Sequence, residues 1–307
     1  MSYLFLIRKI SLILEKGFQI MIELKKVQFG GFSEALELTN GIVKLVITVE
    51  AGPRVLFYGF KDGQNFFHVF EDTPGPVDDG EWHSYGGHRL WYAPETAART
   101  YYPDNAPVPW SFENNVLTLD CPDETSRWIG KKIVIKLDEN STRVTVEHTM
   151  KNIGLWPLEV SIWCLSVMAA GGTLKLPQPK FVPHGAGPGE TFLPARKLVI
   201  WPFTPMDDPR LKWGSKFIEM RQDSNVPGKL KIGLLNDDGY ALYELNGETF
   251  RKDYPCIDGA EYPDMGCNSE FYTQSEPGFL EIESLSPMLK LAEGESATHT
   301  EVWSLSR

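Results

Sequence analysis

Long apolar runs, paired cysteine spacings, a basic stripe and sustained helical periodicity are all missing from this 307-residue chain. A spanning helix needs about twenty consecutive apolar residues. The two apolar runs near the N-terminus, residues 3–7 and 10–14, are short and are split by Arg8 and Lys9. No small-residue cleavage site follows them, so they read neither as a span nor as a signal peptide. Cys121, Cys164, Cys256 and Cys267 lack C-x-x-C spacing and the density of a disulfide scaffold, and read as reduced thiols of a cytoplasmic protein. A net charge of -11 with no basic stripe sets the chain against nucleic acid as a partner. The glycine-rich residues 185–189 lack the strand-then-helix context of a phosphate-binding loop, and nothing else calls for a cofactor.

What is present is apolar material, 42% of the chain, with 27 glycines and 22 prolines scattered throughout. That scatter suits many strands separated by turns, hence an all-β protein. Period-two alternation places strands over residues 36–39, 43–49, 54–60, 132–137, 143–151, 158–167, 229–235, 240–245, 279–285 and 299–305. Short connections make antiparallel neighbours. Helical signals are confined to residues 94–100 and 207–213, about two turns each. Residues 1–20 form an N-terminal extension, either a mis-placed start ahead of Met21 or a loosely held amphipathic helix. Residues 21–307 form one domain without internal repeats. The long irregular stretches 71–109 and 171–194, with 9 Trp, 11 Tyr and 17 Phe, point to a binding cleft lined by aromatic rings.

Two segments concentrate chemistry. In Glu81-Trp82-His83-Ser84-Tyr85-Gly86-Gly87-His88-Arg89-Leu90-Trp91 an acid, two imidazoles, a guanidinium and aromatic rings gather beside a Gly-Gly turn. The Arg89 fork suits vicinal hydroxyls, a carboxylate or a phosphate, and Trp91 offers a stacking plane. A metal at His83 and His88 with Glu81 or Glu95 has no recognised ligand spacing and is set aside. In Phe279-Leu280-Glu281-Ile282-Glu283-Ser284-Leu285 two acids lie two apart, so on a strand they share one face while Leu280 and Ile282 share the other. In a desolvated cleft their repulsion would raise one pKa toward that of a general base; in water they are a solvated face. Arg54, after Gly52-Pro53 at the start of a strand, either reaches the cleft or forms a surface salt bridge. His184, in the loop Val182 to Pro188, is a candidate acid or an exposed loop residue. His148 alternates with Val144, Val146 and Met150 and reads as a core histidine.

Three stretches resemble the galactose mutarotase-like superfamily, in its aldose 1-epimerase-like branch: Tyr85 to Glu95, His148 to Met168 with its Asn-x-Gly turn between two central strands, and Gly266 to Leu305 with its glutamate strand. The resemblance covers most of residues 30–307. It implies a large antiparallel β-supersandwich whose concave face binds a sugar, with no cofactor and a carboxylate acting at the anomeric hydroxyl. Glu283 matches that base and Glu281 is the alternate; His88, His83 or His184 would supply the acid. Arg89, Trp91 and Arg54 would contact the sugar. The pattern breaks where Trp163 stands in place of a central histidine, so the acid is missing by motif. Two functions follow: an epimerase interconverting sugar anomers, or a carbohydrate-binding protein that keeps the site without catalysis. The sugar and the oligomeric state are left open by the sequence.

Overall fold

The computed structural model describes residues 22–70, 75–77, 79–184 and 194–307. Two antiparallel sheets account for almost all regular structure. The larger has eleven strands, ten of them in the order β1 (Glu23–Phe29), β2 (Phe32–Thr39), β3 (Val43–Thr48), β4 (Val55–Phe60), β5 (His88–Ala93), β10 (Leu158–Met168), β19 (Phe279–Leu285), β18 (Ser269–Gln274), β15 (Lys229–Leu234) and β12 (Leu198–Ile200); the eleventh, β20 (Leu289–Leu291), pairs with β10. The smaller runs β13 (Leu211–Trp213), β14 (Phe217–Arg221), β11 (Thr173–Pro177), β16 (Tyr240–Leu245), β17 (Glu248–Asp253), β21 (Ser296–Ser306), β9 (Val144–Asn152), β8 (Ile129–Leu137), β7 (Val116–Glu124) and β6 (Trp110–Glu113).

The sheets enclose one core, built by alternation from both: Leu90, Ile162, Leu280 and Ile282 from the larger meet Val146, Met150, Phe250 and Trp303 from the smaller. Leu280 and Ile282 are wholly buried there, so the glutamates of β19 point the other way. His148 is buried in the same interior. Each strand read from the alternation is present.

Four expectations are corrected. Neither residues 94–100 nor 207–213 is helical: the first is a series of turns, and the second ends in β13. Among the described residues the one helix is α1 (Pro263–Gly266), a single turn in which Asp264 and Met265 take left-handed backbone angles. The irregular stretches contain strands β5 and β11. The strands flanking the Asn152-Ile153-Gly154 turn are not sheet neighbours; β9 lies in the smaller sheet and β10 in the larger, so the turn carries the chain across the sandwich. No helix among the described residues is long and apolar enough to cross a membrane. Residues 1–20 and the glycines at 185–189 lie outside the described residues.

Candidate functional site

The turn before β5 explains why β5 begins where it does. Gly86 and Gly87 have φ of +92° and +64°, and a Cβ on either would stand 2.2 Å from the carbonyl oxygen of His68 or Val55. Only glycine fits so close to both backbones. From that point the strand alternates: His88, Leu90 and Tyr92 face the sandwich interior, while Arg89, Trp91 and Ala93 face outward, where Trp91 and Ala93 join Trp163, Leu165 and Leu285 in a separate apolar cluster with Trp82.

Register places the outward residues in rows across four strands. Arg89 is opposite Leu165, Leu165 opposite Glu283, and Glu283 opposite Glu270. In the next row Val167 is opposite Glu281, Glu281 opposite Tyr272, and Tyr272 opposite Lys231. Trp91 and Trp163 pair in the row on the other side. Two cations, three carboxylates and several aromatic rings therefore share one outer face.

Lys231 organises this face. Its Nζ lies 2.7 Å from Glu270 and 3.0 Å from Glu283, and it sits 5.0 Å and 4.7 Å from the ring centroids of Trp163 and Trp201. Trp163 Nε1 donates to Glu283 Oε2 at 2.9 Å. The tryptophan that replaces a histidine thus holds the carboxylate by a hydrogen bond without being able to transfer a proton. Glu281 accepts from Arg89 at 3.1 Å, and the guanidinium carbon of Arg89 lies 4.2 Å from the Trp91 ring centroid and 5.5 Å from that of Trp82. Tyr101 packs against both tryptophans and donates to Glu95.

Burial is the largest influence on both of these carboxyls: it pushes Glu270 well above the ordinary carboxylate range and raises Glu283 as well, with Lys231 pulling each back. For Lys231 burial acts downward, but the two carboxylates outweigh it and its pKa is raised. Two buried carboxyls facing one ammonium cannot both stay ionised without leaving a net buried charge, so the pair holds one proton between them. Glu283 accepts from Trp163 and Lys231 whereas Glu270 accepts from Lys231 alone. Of the two, Glu270 has fewer donors, and burial favours its neutral form more strongly.

Several buried polar atoms on this face lack a partner: Nε and Nη1 of Arg89, Nε1 of Trp82, Oε1 of Glu270 and Oε1 of Glu283. A buried donor or acceptor left without a partner costs roughly 1–3 kcal/mol. Donors and acceptors in this number, set among aromatic rings, match a ligand that carries both kinds of group.

Other residues singled out in the sequence lie elsewhere. His88 is wholly buried on the opposite side of the sheet from Arg89, 2.7 Å from His148 Nε2 and 2.9 Å from Ser166 Oγ. A period of two puts neighbours on opposite faces, so His88 cannot serve with Glu283 as the acid of one site. Burial, then the neighbouring His148 and Lys252, holds its pKa well below the usual value. His88, His148 and Glu301 could by spacing hold a metal, as could Cys164, His299 and Glu301, but Lys252 Nζ stands 2.8 Å from Glu301 and 3.0 Å from the Cys164 carbonyl. The ammonium already supplies the cation there. Arg54 is buried and its donors are spent: it meets Asp104 at 2.6 and 3.0 Å and the carbonyls of Pro53, His83 and Ser84. It ties residues 83–84 to Asp104 by a buried ion pair, not the surface bridge or sugar contact anticipated. His83 pairs with Asp79 at 2.9 Å. His184 is exposed on β-free backbone next to undescribed residues.

Glu270, Lys231 and Tyr272 were missed. The signal available was the alternation Glu270–Tyr272 within β18, a strand that the sequence reading left unassigned.

Neither a protein-family model nor a curated protein sequence matches the chain. Solved structures do. A galactose mutarotase-like protein from Lactobacillus casei superposes with a TM-score of 0.54 at 11% identity, over 92% of this chain and 100% of that one. A galactose mutarotase-like protein from Clostridium acetobutylicum gives 0.54 at 10% identity, over 93% and 99%. A TPR-domain containing protein from Parabacteroides distasonis gives 0.58 at 13% identity, over 94% of this chain and 54% of that one. The fold is galactose mutarotase-like over nearly the whole described chain.

Proposed function

We propose that this chain, built on the galactose mutarotase-like fold, binds a carbohydrate on the outer face of its larger sheet and interconverts the sugar's anomers. The observation that carries the reading is the set of partnerless buried polar atoms on Arg89, Trp82, Glu270 and Glu283, gathered beside Trp91 and Tyr101. A sugar ring supplies both hydroxyl donors and acceptors to such atoms and apolar C–H faces to the rings.

Glu283 takes the proton of the anomeric hydroxyl. The C1–O5 bond breaks, C1=O forms, and O5 receives the proton held by Glu270; rotation about C1–C2 and reversal of the steps close the other anomer. The two oxygens involved are bound to the same carbon, which suits two carboxyls held by one lysine. Arg89, paired with Glu281, orients hydroxyls. Positioned acid–base groups of this kind accelerate proton transfer by roughly 10²–10⁴-fold.

The test is polarimetry or NMR exchange on fresh, anomerically pure aldoses. The enzyme reading predicts faster mutarotation of at least one sugar and loss of that acceleration in Glu283→Gln with affinity largely retained. A binding-only reading has one observation in its favour: Glu283 has no solvent exposure. Saturable sugar binding with no rate enhancement, and a Glu283→Gln variant that loses affinity alone, would establish that reading instead. No signal of either kind across a broad panel would refute both.

A further inference from the structure

A hollow of about 350 Å³ opens where the segment after β5, the β7–β8 turn and the β9–β10 connection meet, lined by Arg99, Arg127, Trp128 and Trp156. No carboxylate lines it, in a chain whose net charge is -11. Among the described residues neither guanidinium has an ion-pair partner. Arg127 donates to Ser126 Oγ while its buried Nε has no acceptor, and the polar contact of Arg99 is the Glu159 carbonyl at 3.5 Å. Both guanidiniums are instead placed over tyrosine rings, Arg127 at 5.0 Å from Tyr102 and Arg99 at 5.8 Å from Tyr92.

The two indoles are held out into solvent by the backbone. Trp128 is 50% exposed and Trp156 68%. Trp128 has a φ of 60°, a left-handed conformation that is uncommon and strained for a bulky residue. The neighbouring loop is shaped to admit it: a Cβ at Gly154 would stand 2.7 Å from both Cβ and Cγ of Trp128, and the Ile153 amide donates to the Trp128 carbonyl at 3.0 Å. Strain that ends in exposure does not serve the core. Half of the Trp128 surface and about two thirds of that of Trp156 stay open to solvent in the free protein.

We propose that this hollow is a second ligand site, distinct from the outer face of the sheet, for a sugar that carries a carboxylate or phosphate. Arg99 and Arg127 take the anionic group through charge-assisted hydrogen bonds, and the indoles take the apolar face of the ring. A neutral sugar would leave both guanidiniums unused, and a bare anion would leave the indoles unused. The site does not depend on the anomer-interconverting reading.

Calorimetric titration of the whole chain with glucuronate, glucose 6-phosphate, glucose and inorganic phosphate, followed also by indole fluorescence, tests the assignment. Saturable binding of glucuronate or glucose 6-phosphate is expected, the stronger of the two identifying the anion as carboxylate or phosphate. Arg127→Gln and Arg99→Gln should each weaken it by roughly 10- to 100-fold. Trp156→Ala should weaken it and quench the fluorescence response, whereas Arg89→Gln on the other face should leave it unchanged. Trp156 is exposed, Arg99 and Arg127 are partly buried and Arg89 is buried, so the melting temperature of each variant will show whether it folds. The proposal is overturned if neither charged sugar binds, if the Arg99 and Arg127 variants bind normally, if binding is lost in Arg89→Gln, or if, in the Arg89→Gln protein, inorganic phosphate or glucose binds as tightly as the charged sugars.

Discussion

Three histidines lie in the sandwich interior and stay neutral there. Burial first, and then Lys252 for His148 and His88 and the His148 ring for His88 and His299, depresses them; His148 and His299 fall to about 3 and His88 well below its ordinary value. A base whose folded pKa is depressed contributes stability that is complete above its unfolded value, near 6.5, and is lost as pH falls toward the folded one. In that window the unfolded chain binds more protons, at about 1.4 kcal/mol per pH unit for each histidine. The Glu270–Glu283 pair works in the opposite sense, since its raised folded pKa favours the folded state at lower pH. The histidine contribution is therefore read by difference. Urea unfolding of His148→Gln between pH 6.5 and 4 should show a slope shallower than that of the parent by about 1.4 kcal/mol per unit; equal slopes would mean that His148 is protonated in the folded protein. At this scale the sequence was informative about His148, whose strand neighbours are apolar, and misleading about His88. An imidazole next to Arg89 and Trp91 looks like a site residue until the strand is recognised. Once residues 88–93 are extended, adjacent side chains must part to opposite faces.

At the level of strands, the outer face owes its chemistry to pairing. β15, β18, β19 and β10 bring Lys231, Glu270, Glu283 and Trp163 together although the residues are up to 120 positions apart. The alternation of β19 was legible, because two acids and two apolar residues interleave in one short run. The neighbours of β19 were not, since register is set by long-range packing that leaves no mark in a single strand's sequence. Trp163 shows the same limit: its identity announced a missing histidine, but only its pairing revealed the bond to Glu283. A direct consequence concerns Lys231. Removing one member of a buried charged cluster leaves the others uncompensated, so Lys231→Met should destabilise the protein by roughly 3–5 kcal/mol near neutral pH. Adding Glu270→Gln should recover part of that loss. A single variant that costs well under 1 kcal/mol in denaturant unfolding, with no recovery in the double, would show that the three groups are not coupled as described.

For the molecule as a whole, an all-β chain of antiparallel neighbours follows from the many period-two strands and the scattered glycines and prolines, while the large two-sheet sandwich was what the resemblance implied. Where the strands divide between the sheets does not follow. The Asn152–Gly154 turn looks like a hairpin in sequence and instead crosses from one sheet to the other, because β9 and β10 each find partners of longer register elsewhere. The crossing leaves β10 in the middle of the larger sheet, between β5 and β19, and that position unites Arg89 with Glu281 and Glu283. The sandwich thus separates two polar systems, a closed interior one around Lys252 and Glu301 and an outward one around Lys231. Among the described residues, the partnerless buried atoms of these two systems lie in the outward one, on Arg89, Glu270 and Glu283. The central claim is that this outward face holds a sugar. Its most direct test is a crystal structure of the protein soaked with the uncharged monosaccharide that gives the strongest calorimetric signal. The account predicts a ring lying against Trp82, Trp91 or Tyr101, with hydroxyls bonded to Arg89 and to Glu281 or Glu283; a sugar found elsewhere, with this face unaltered, would contradict it.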